Sequence, residues 1–355
     1  MYNTKFLENY RKKRVLITGH TGFKGSWLAF ILNYLGADIV GYALEPDLKK
    51  SNFRLLGLEN KITHIVGDVR SYKDLERVVK NFQPEIVFHL AAQAIVRSSY
   101  EDPVGNYETN IMGSVNLLDV IRNCNSVRSL VFITSDKCYE NLEWPWGYRE
   151  NDRLGGYDPY SSSKACAELI FSSYYKSFLQ NRTIGAASVR AGNVIGGGDW
   201  SQNRIIPDCI RSIQDGKPIT IRSPNATRPW QHVLDPLSGY LMLGEKLYTS
   251  QKKFCGSWNF GPSTSELRTV KDMVSIFFKS YGEGSFITEV KGDDLHEAGL
   301  LQLNCDKARM FLNWAPRWDV LKTVQKTSEW YRFIASGGQA EEITMRQVKE
   351  YFELG

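Results

Sequence analysis

A chain of 355 residues, 42% hydrophobic and 23% charged, is long enough to bury a sizeable core and too ordinary in composition to be disordered or fibrous. Its formal net charge of +5 suits a handler of anionic metabolites, and no basic clusters interleaved with aromatics point to nucleic acid. The N-terminal stretch has no apolar segment that reads as a signal peptide, and the apolar run 27–32 is too short to span a bilayer. Six scattered cysteines without a C-x-x-C pair, and five dispersed histidines, fit a reduced, metal-free, cytoplasmic protein.

Residues 14–18 read as a strand and 26–35 as a helix that ends at Gly36. Second and third strands are expected over 37–44 and 61–66. Residues 72–82 form an amphipathic helix with Leu75, Val78, Val79 and Phe82 on one face. A fourth strand over 85–90, a helix over 109–123 and a fifth strand over 129–133 follow. This regular alternation predicts an α/β fold, a Rossmann-type doubly wound parallel sheet. Beyond residue 190 proline and glycine become frequent and the alternation less regular. We therefore divide the chain into a dinucleotide-binding domain, 1–190, and a smaller C-terminal α/β lobe, 191–355, with some later segments returning to the first domain. The tail, 340–352, reads as a helix whose Ile343, Val348 and Phe352 serve the core rather than an interface.

Three stretches carry chemistry. The first is the turn T18-G-H-T-G-F-K-G between the first strand and helix. Gly19 permits a tight turn, Gly22 lets backbone approach a pyrophosphate, and Gly25 lets the helix pack on the sheet, while the helix N-terminus offers free N–H groups. An acid at the end of the second strand is not obvious, since Glu45 arrives late, and no arginine cluster welcomes a 2′-phosphate; NAD is favoured over NADP. Asp68 ends the third strand, either to read an adenine or to hold a turn.

The second stretch is Y160-S-S-S-K164, where a tyrosine and a lysine four residues apart share a helix face. A phenol titrates near ~10, so a tyrosine acting as a base at neutral pH needs a cation beside it. The third is T134-S-D-K-C-Y, which follows the fifth strand and sets Asp136 against Lys137. Cys138 reads as packing.

Taken together, these motifs with H89-L-A-A, V189-R-A-G-N-V-I-G and R228-P-W resemble the extended short-chain dehydrogenase/reductases that act on nucleotide sugars. Within that family, TSDKCY, G155-G-Y-D-P-Y-S-S-S-K and H296-E-A-G-L are most similar to the branch of CDP-glucose 4,6-dehydratases. The resemblance implies NAD as cofactor, bound by Gly19, Thr21, Gly22, Phe23, Lys24, Gly25, Asp68, Val69, Leu90, Ala91, Ala92, Thr109, Tyr160 and Lys164. It implies catalysis by Ser135 and Tyr160 at O4, with Lys164 supporting the tyrosine, Asp136 as the acid at O6, and Lys137 at C5. There Lys137 acts either as a neutral base or as a cation stabilising the carbanion; relatives acting on dTDP-glucose carry Asp-Glu at this pair, so Lys137 is a departure in charge. Gln93, Arg97, Ser135, Asn193, Arg204 and Arg228 are the implied contacts of CDP-glucose. The product class feeds deoxysugars of bacterial surface polysaccharide. Helices 104–123 and 161–179, bearing Leu117, Leu118, Ile121, Leu169 and Ile170, are implied to pair in a homodimer or a dimer of dimers. Another nucleotide-sugar dehydratase, a 4-epimerase and a catalytically silent NAD-binding regulator are the alternatives.

Overall fold

The computed structural model describes residues 4–46, 50–263, 267–288 and 299–354. In chain order its strands are β1 (Arg14–Thr18), β2 (Asp38–Ala43), β3 (Thr63–Val66), β4 (Ile86–His89), β5 (Ser129–Ile133), β6 (Gly185–Ala191), β7 (Val194–Ile195), β8 (Ile219–Ile221), β9 (Thr227–Arg228), β10 (Gln231–His232), β11 (Gly256–Phe260), β12 (Arg268–Thr269) and β13 (Phe286–Thr288). Seven of them form one sheet in the order β11-β6-β5-β4-β1-β2-β3. Every neighbouring pair in it is parallel.

A sheet covered on both faces needs strands that are apolar throughout, and β1 and β5 meet that demand. Val15, Ile17, Val131 and Ile133 enter one core, while Leu16, Leu130 and Phe132 enter the other. Each such side chain, fully buried, stabilises the fold by roughly 1.5–3 kcal/mol. Helix Tyr72–Phe82 is amphipathic because it covers one face, burying Leu75, Val78 and Val79. Helix Phe23–Tyr34 is buried over much of its circumference and starts three residues earlier than its apolar pattern indicates, because Gly22 already stands at its N-cap.

The strand order reverses between β1 and β4, which opens a crevice at their C-terminal ends. Past residue 190, helix Leu234–Ser250 lies against β5 and β6, and β11 extends the main sheet beside β6. The remaining segments build a smaller layer from helices Ile205–Gln214, Val270–Tyr281 and Val320–Ala335 and the short pairs β7/β10, β8/β13 and β9/β12. Ile343, Val348 and Phe352 of helix Ala340–Phe352 are fully buried, so the tail is core. Among the described residues no helix is long and apolar enough to cross a membrane.

Candidate active site

Backbone crowding shapes the first half of the site. Gly19 has φ +74°, and a Cβ there would stand 2.7 Å from the Ala91 nitrogen at the end of β4. A Cβ on Gly25 would come within 2.1 Å of the Gly19 carbonyl oxygen. No side chain caps helix Phe23–Tyr34, so its first N–H groups are left for an anion. Beside them lies a cavity of about 410 Å³ lined by Gly19, Thr21, Gly22, Phe23, Lys24, Gly25, Asp68, Val69, Leu90, Ala91, Ala92 and Thr109. This cradle, which a Cβ would fill, fits a dinucleotide.

A second cavity, of about 330 Å³, shares Phe23, Lys24, Leu90 and Ala92 with the first and continues over the end of β5. Ser135, Asp136, Lys137, Tyr160 and Lys164 all line it. The chain leaves β5 through a single turn, Asp136–Cys138, capped by the Ser135 hydroxyl, which accepts from Lys137 N at 3.3 Å. That hydroxyl donates to Asp136 Oδ1 at 3.0 Å, while Asp136 Oδ2 is buried with no hydrogen-bond partner. Burial pushes the Asp136 carboxyl up, against the pull of Lys137, Ser135 and Arg228. Asp136 thus presents a carboxyl of raised proton affinity in the lining of the cavity.

Tyr160 and Lys164 come from helix Pro159–Tyr174. Proline occupies its first position, and the Asp158 N-cap accepts from Ser161 N at 2.9 Å and Ser161 Oγ at 2.6 Å. Tyr160 N donates to Ser99 Oγ at 3.2 Å, which locks the helix start to helix Val96–Glu101. Burial pushes the phenol up to about 12, with Ser135 drawing it back down. Burial, and then Lys24, bring Lys164 down to about 7. The Lys164 ammonium nitrogen is 5.9 Å from the Tyr160 ring centroid.

Residues 16–327 match the model of the family described as GDP-mannose 4,6 dehydratase. The chain belongs to that family. It is 44% identical over 347 residues to a CDP-glucose 4,6-dehydratase of Salmonella typhimurium, covering 96% of this chain and 97% of the relative. Among solved structures, a dTDP-glucose 4,6-dehydratase of Bacillus anthracis in complex with NAD superposes with TM-score 0.76 at 22% identity, over 92% of this chain and 98% of that one. A UDP-glucose 4-epimerase of Stenotrophomonas maltophila with bound NAD gives 0.80 at 19% identity, over 92% and 100%. The dehydratase family and an epimerase thus share one fold, so the side chains must tell them apart.

Beneath the family's floor lies a buried ion pair that sequence reading missed. Arg190 Nη2 meets Glu168 Oε2 at 2.7 Å, with Thr134 Oγ1 donating to Glu168 Oε1 at 2.5 Å and Ser188 Oγ to Oε2 at 2.7 Å. Glu168 follows Lys164 by four residues, a spacing that could have revealed it. Asn110 was also missed. It sits in a π turn, Glu108–Met112, where its Nδ2 donates to Gln93 O at 3.0 Å and Ser163 Oγ at 2.9 Å. The π turn interrupts the helix expected over 109–123.

Other expected residues divide. Asn193, Arg204 and Arg228 line the second cavity, joined by Arg222, which sequence reading did not single out. Arg204 is paired with Asp199 at 3.0 Å. Arg97 lines an adjoining cavity of about 870 Å³, but Gln93 lines neither and turns its amide onto Ile95, donating to the Ile95 carbonyl at 3.0 Å. Asp68 lines its cavity and also holds a turn, accepting from Arg70 Nη2 at 2.6 Å and Arg70 N at 2.9 Å. A single arginine, Arg54, folds back from the next helix onto Glu45 at 2.6 Å, just past β2. Cys138 is wholly buried and its thiol is pushed well up by burial, which suits packing. Of H296-E-A-G-L, residues 296–298 lie outside the described residues; the Gly299 carbonyl accepts from Thr227 N at 2.9 Å, next to Arg228.

Proposed function

We propose that the chain is a CDP-glucose 4,6-dehydratase with NAD as resident cofactor, converting CDP-glucose to CDP-4-dehydro-6-deoxyglucose and water. One observation carries this reading beyond family membership: the buried Asp136 carboxyl, raised by burial, with an unpartnered oxygen in the cavity that also holds Tyr160 and Ser135. A 4-epimerase has no use for an elimination acid at this position. A silent regulator has no use for Ser135, Tyr160 and Lys164 together.

In the first cavity the glycine turn and helix N-terminus would hold the pyrophosphate, with Val69, Leu90, Ala91, Ala92 and Thr109 lining the remainder of the site. When bound, NAD accepts a hydride from the sugar, later returns it, and in its oxidised form adds a positive charge beside the floor. Tyr160 takes the O4 proton, helped by Ser135, with Lys164 on the same helix face to favour the phenolate. Once C4 is a ketone, the C5 proton is acidified. Lys137 takes the C5 proton, Asp136 protonates O6 so that it departs as water, and C6 then gains the hydride while C5 regains a proton. Asn193, Arg204, Arg222 and Arg228 receive the diphosphate, and Arg97 flanks the sugar.

We further assign the chain to a cytoplasmic homodimer within deoxysugar synthesis. All six cysteines are free thiols. Leu117, Leu118 and Ile121 are covered by their own chain, but Leu169 is 58% exposed, with Met112 and Val104 exposed on the neighbouring helical segments.

The test is incubation of NAD-loaded protein with CDP-glucose, dTDP-glucose, UDP-glucose and GDP-mannose separately, followed by mass spectrometry. Loss of one water from CDP-glucose in preference to the others is expected. An unchanged mass with all four refutes a dehydratase, and preferred turnover of another nucleotide refutes the assigned base.

A further inference from the structure

Family membership leaves open how one base is chosen, and the lining of the second cavity addresses this. Its sugar end is fixed by Ser135 and Tyr160. Arg204, Arg222 and Arg228 line both it and the adjoining cavity, so the diphosphate belongs at that junction. The second cavity is also lined by helix Ile205–Gln214 and β8. Ile205 comes from the helix, and Ile219 and Ile221 from the strand. Apolar walls on two sides suit a flat base. The adjoining cavity instead offers Glu140, Asn141, Asp158 and Ser161.

A carboxylate from the same helix lines the cavity beside these apolar side chains. Asp208 lies one helical turn from Ile205, on the same face, and lines the cavity. It is braced from its own helix by an ion pair with Arg211. Arg211 in turn donates to the carbonyls of Trp200 at 3.2 Å and Ser201 at 3.1 Å. A carboxylate held in this way accepts and does not donate. Cytosine presents an exocyclic amine to such a group, whereas uracil and thymine present a carbonyl oxygen at the same position.

We propose that Asp208 reads the base, accepting from the cytosine amine and repelling the O4 of uracil or thymine. This rests on the reading of the chain as an enzyme of CDP-sugars and names the residue that sets the preference. Discrimination comes from both terms, the hydrogen bond gained with cytosine and the lone pairs opposed with uracil.

Nucleotide binding tests it without turnover. In calorimetry on NAD-loaded protein, CDP should bind roughly tenfold or more tighter than UDP, the range one base contact supplies. Asp208→Asn keeps shape and an acceptor for Arg211 while adding an amide donor, so CDP should weaken, UDP should tighten, and the ratio should approach one or invert. Asp208→Ala should weaken CDP without improving UDP, and melting curves establish that both variants are folded. An Asp208→Asn protein that retains the wild-type ratio overturns the proposal, as does a wild type that does not prefer CDP. A wild type that prefers CDP but leaves CDP-glucose unchanged refutes the dehydratase and leaves Asp208 standing as the reader.

Discussion

The floor and the roof of the second cavity are built on opposite principles. On the floor, Ser135, Asp136, Tyr160 and Lys164 are each less than 10% exposed and sit on the turn after the five-residue strand β5 and on a sixteen-residue helix. Beneath them the Glu168–Arg190 pair is sealed from solvent. On the roof, Arg228 stands on the two-residue strand β9, Arg222 follows the three-residue strand β8, and the Arg204 side chain is 32% exposed. Shifting a proton affinity requires dehydration and fixed neighbours, which only a rigid core provides. Holding a diphosphate requires positive charge within reach, and short, partly solvated elements suffice. Burial also divides the roof itself: Arg222 is exposed, whereas Arg228, at 5% exposure, is as dry as the floor.

The largest effects should come from the floor. Tyr160→Phe and Asp136→Asn should each lower kcat by roughly 10²–10⁴, the usual contribution of a positioned acid or base. KM should change far less; steady-state kinetics on CDP-glucose measure both. Next in size is the support layer. Arg190→Met leaves Glu168 buried without its partner and should cost about 3–5 kcal/mol in chemical denaturation.

A smaller effect separates function from stability at Asp136. Its carboxyl is raised in the folded chain, so the folded state binds a proton more tightly than the unfolded one. The stability this gives is fully present below the ordinary carboxylate range and is lost as pH rises through the higher folded value. Asp136→Asn should therefore melt no lower than wild type at neutral pH, and its lead should shrink in acid. Smallest is the roof. Arg222→Ala should raise KM by roughly tenfold, about 1.4 kcal/mol, with kcat little changed, and should reduce the dependence of KM on salt.

The floor was also more legible in the sequence than its supports. TSDKCY and YSSSK are contiguous, so spacing alone brings Asp136 beside Ser135 and Tyr160 within one turn of Lys164. The glycine turn is equally local, and the strand–helix alternation gave the parallel sheet. What escaped depends on distance or on rotamer choice. Glu168 and Arg190 are joined across 22 residues, and Asn110 reaches Gln93 and Ser163 only because a π turn re-aims it. Gln93 faces Ile95 rather than the sugar, and Arg54 returns to Glu45, through side-chain choices that periodicity does not encode. Arg222 stood in an irregular stretch with no pattern around it.

The central claim is that this floor removes the C5 proton and expels O6 as water, and turnover of CDP-glucose in deuterated water tests it most directly. The account predicts a product lighter than its substrate by one water apart from the label, with solvent deuterium at C5 and none gained at C6, where the hydride from C4 arrives. A product of unchanged mass, or a dehydrated one without solvent deuterium at C5, would contradict it.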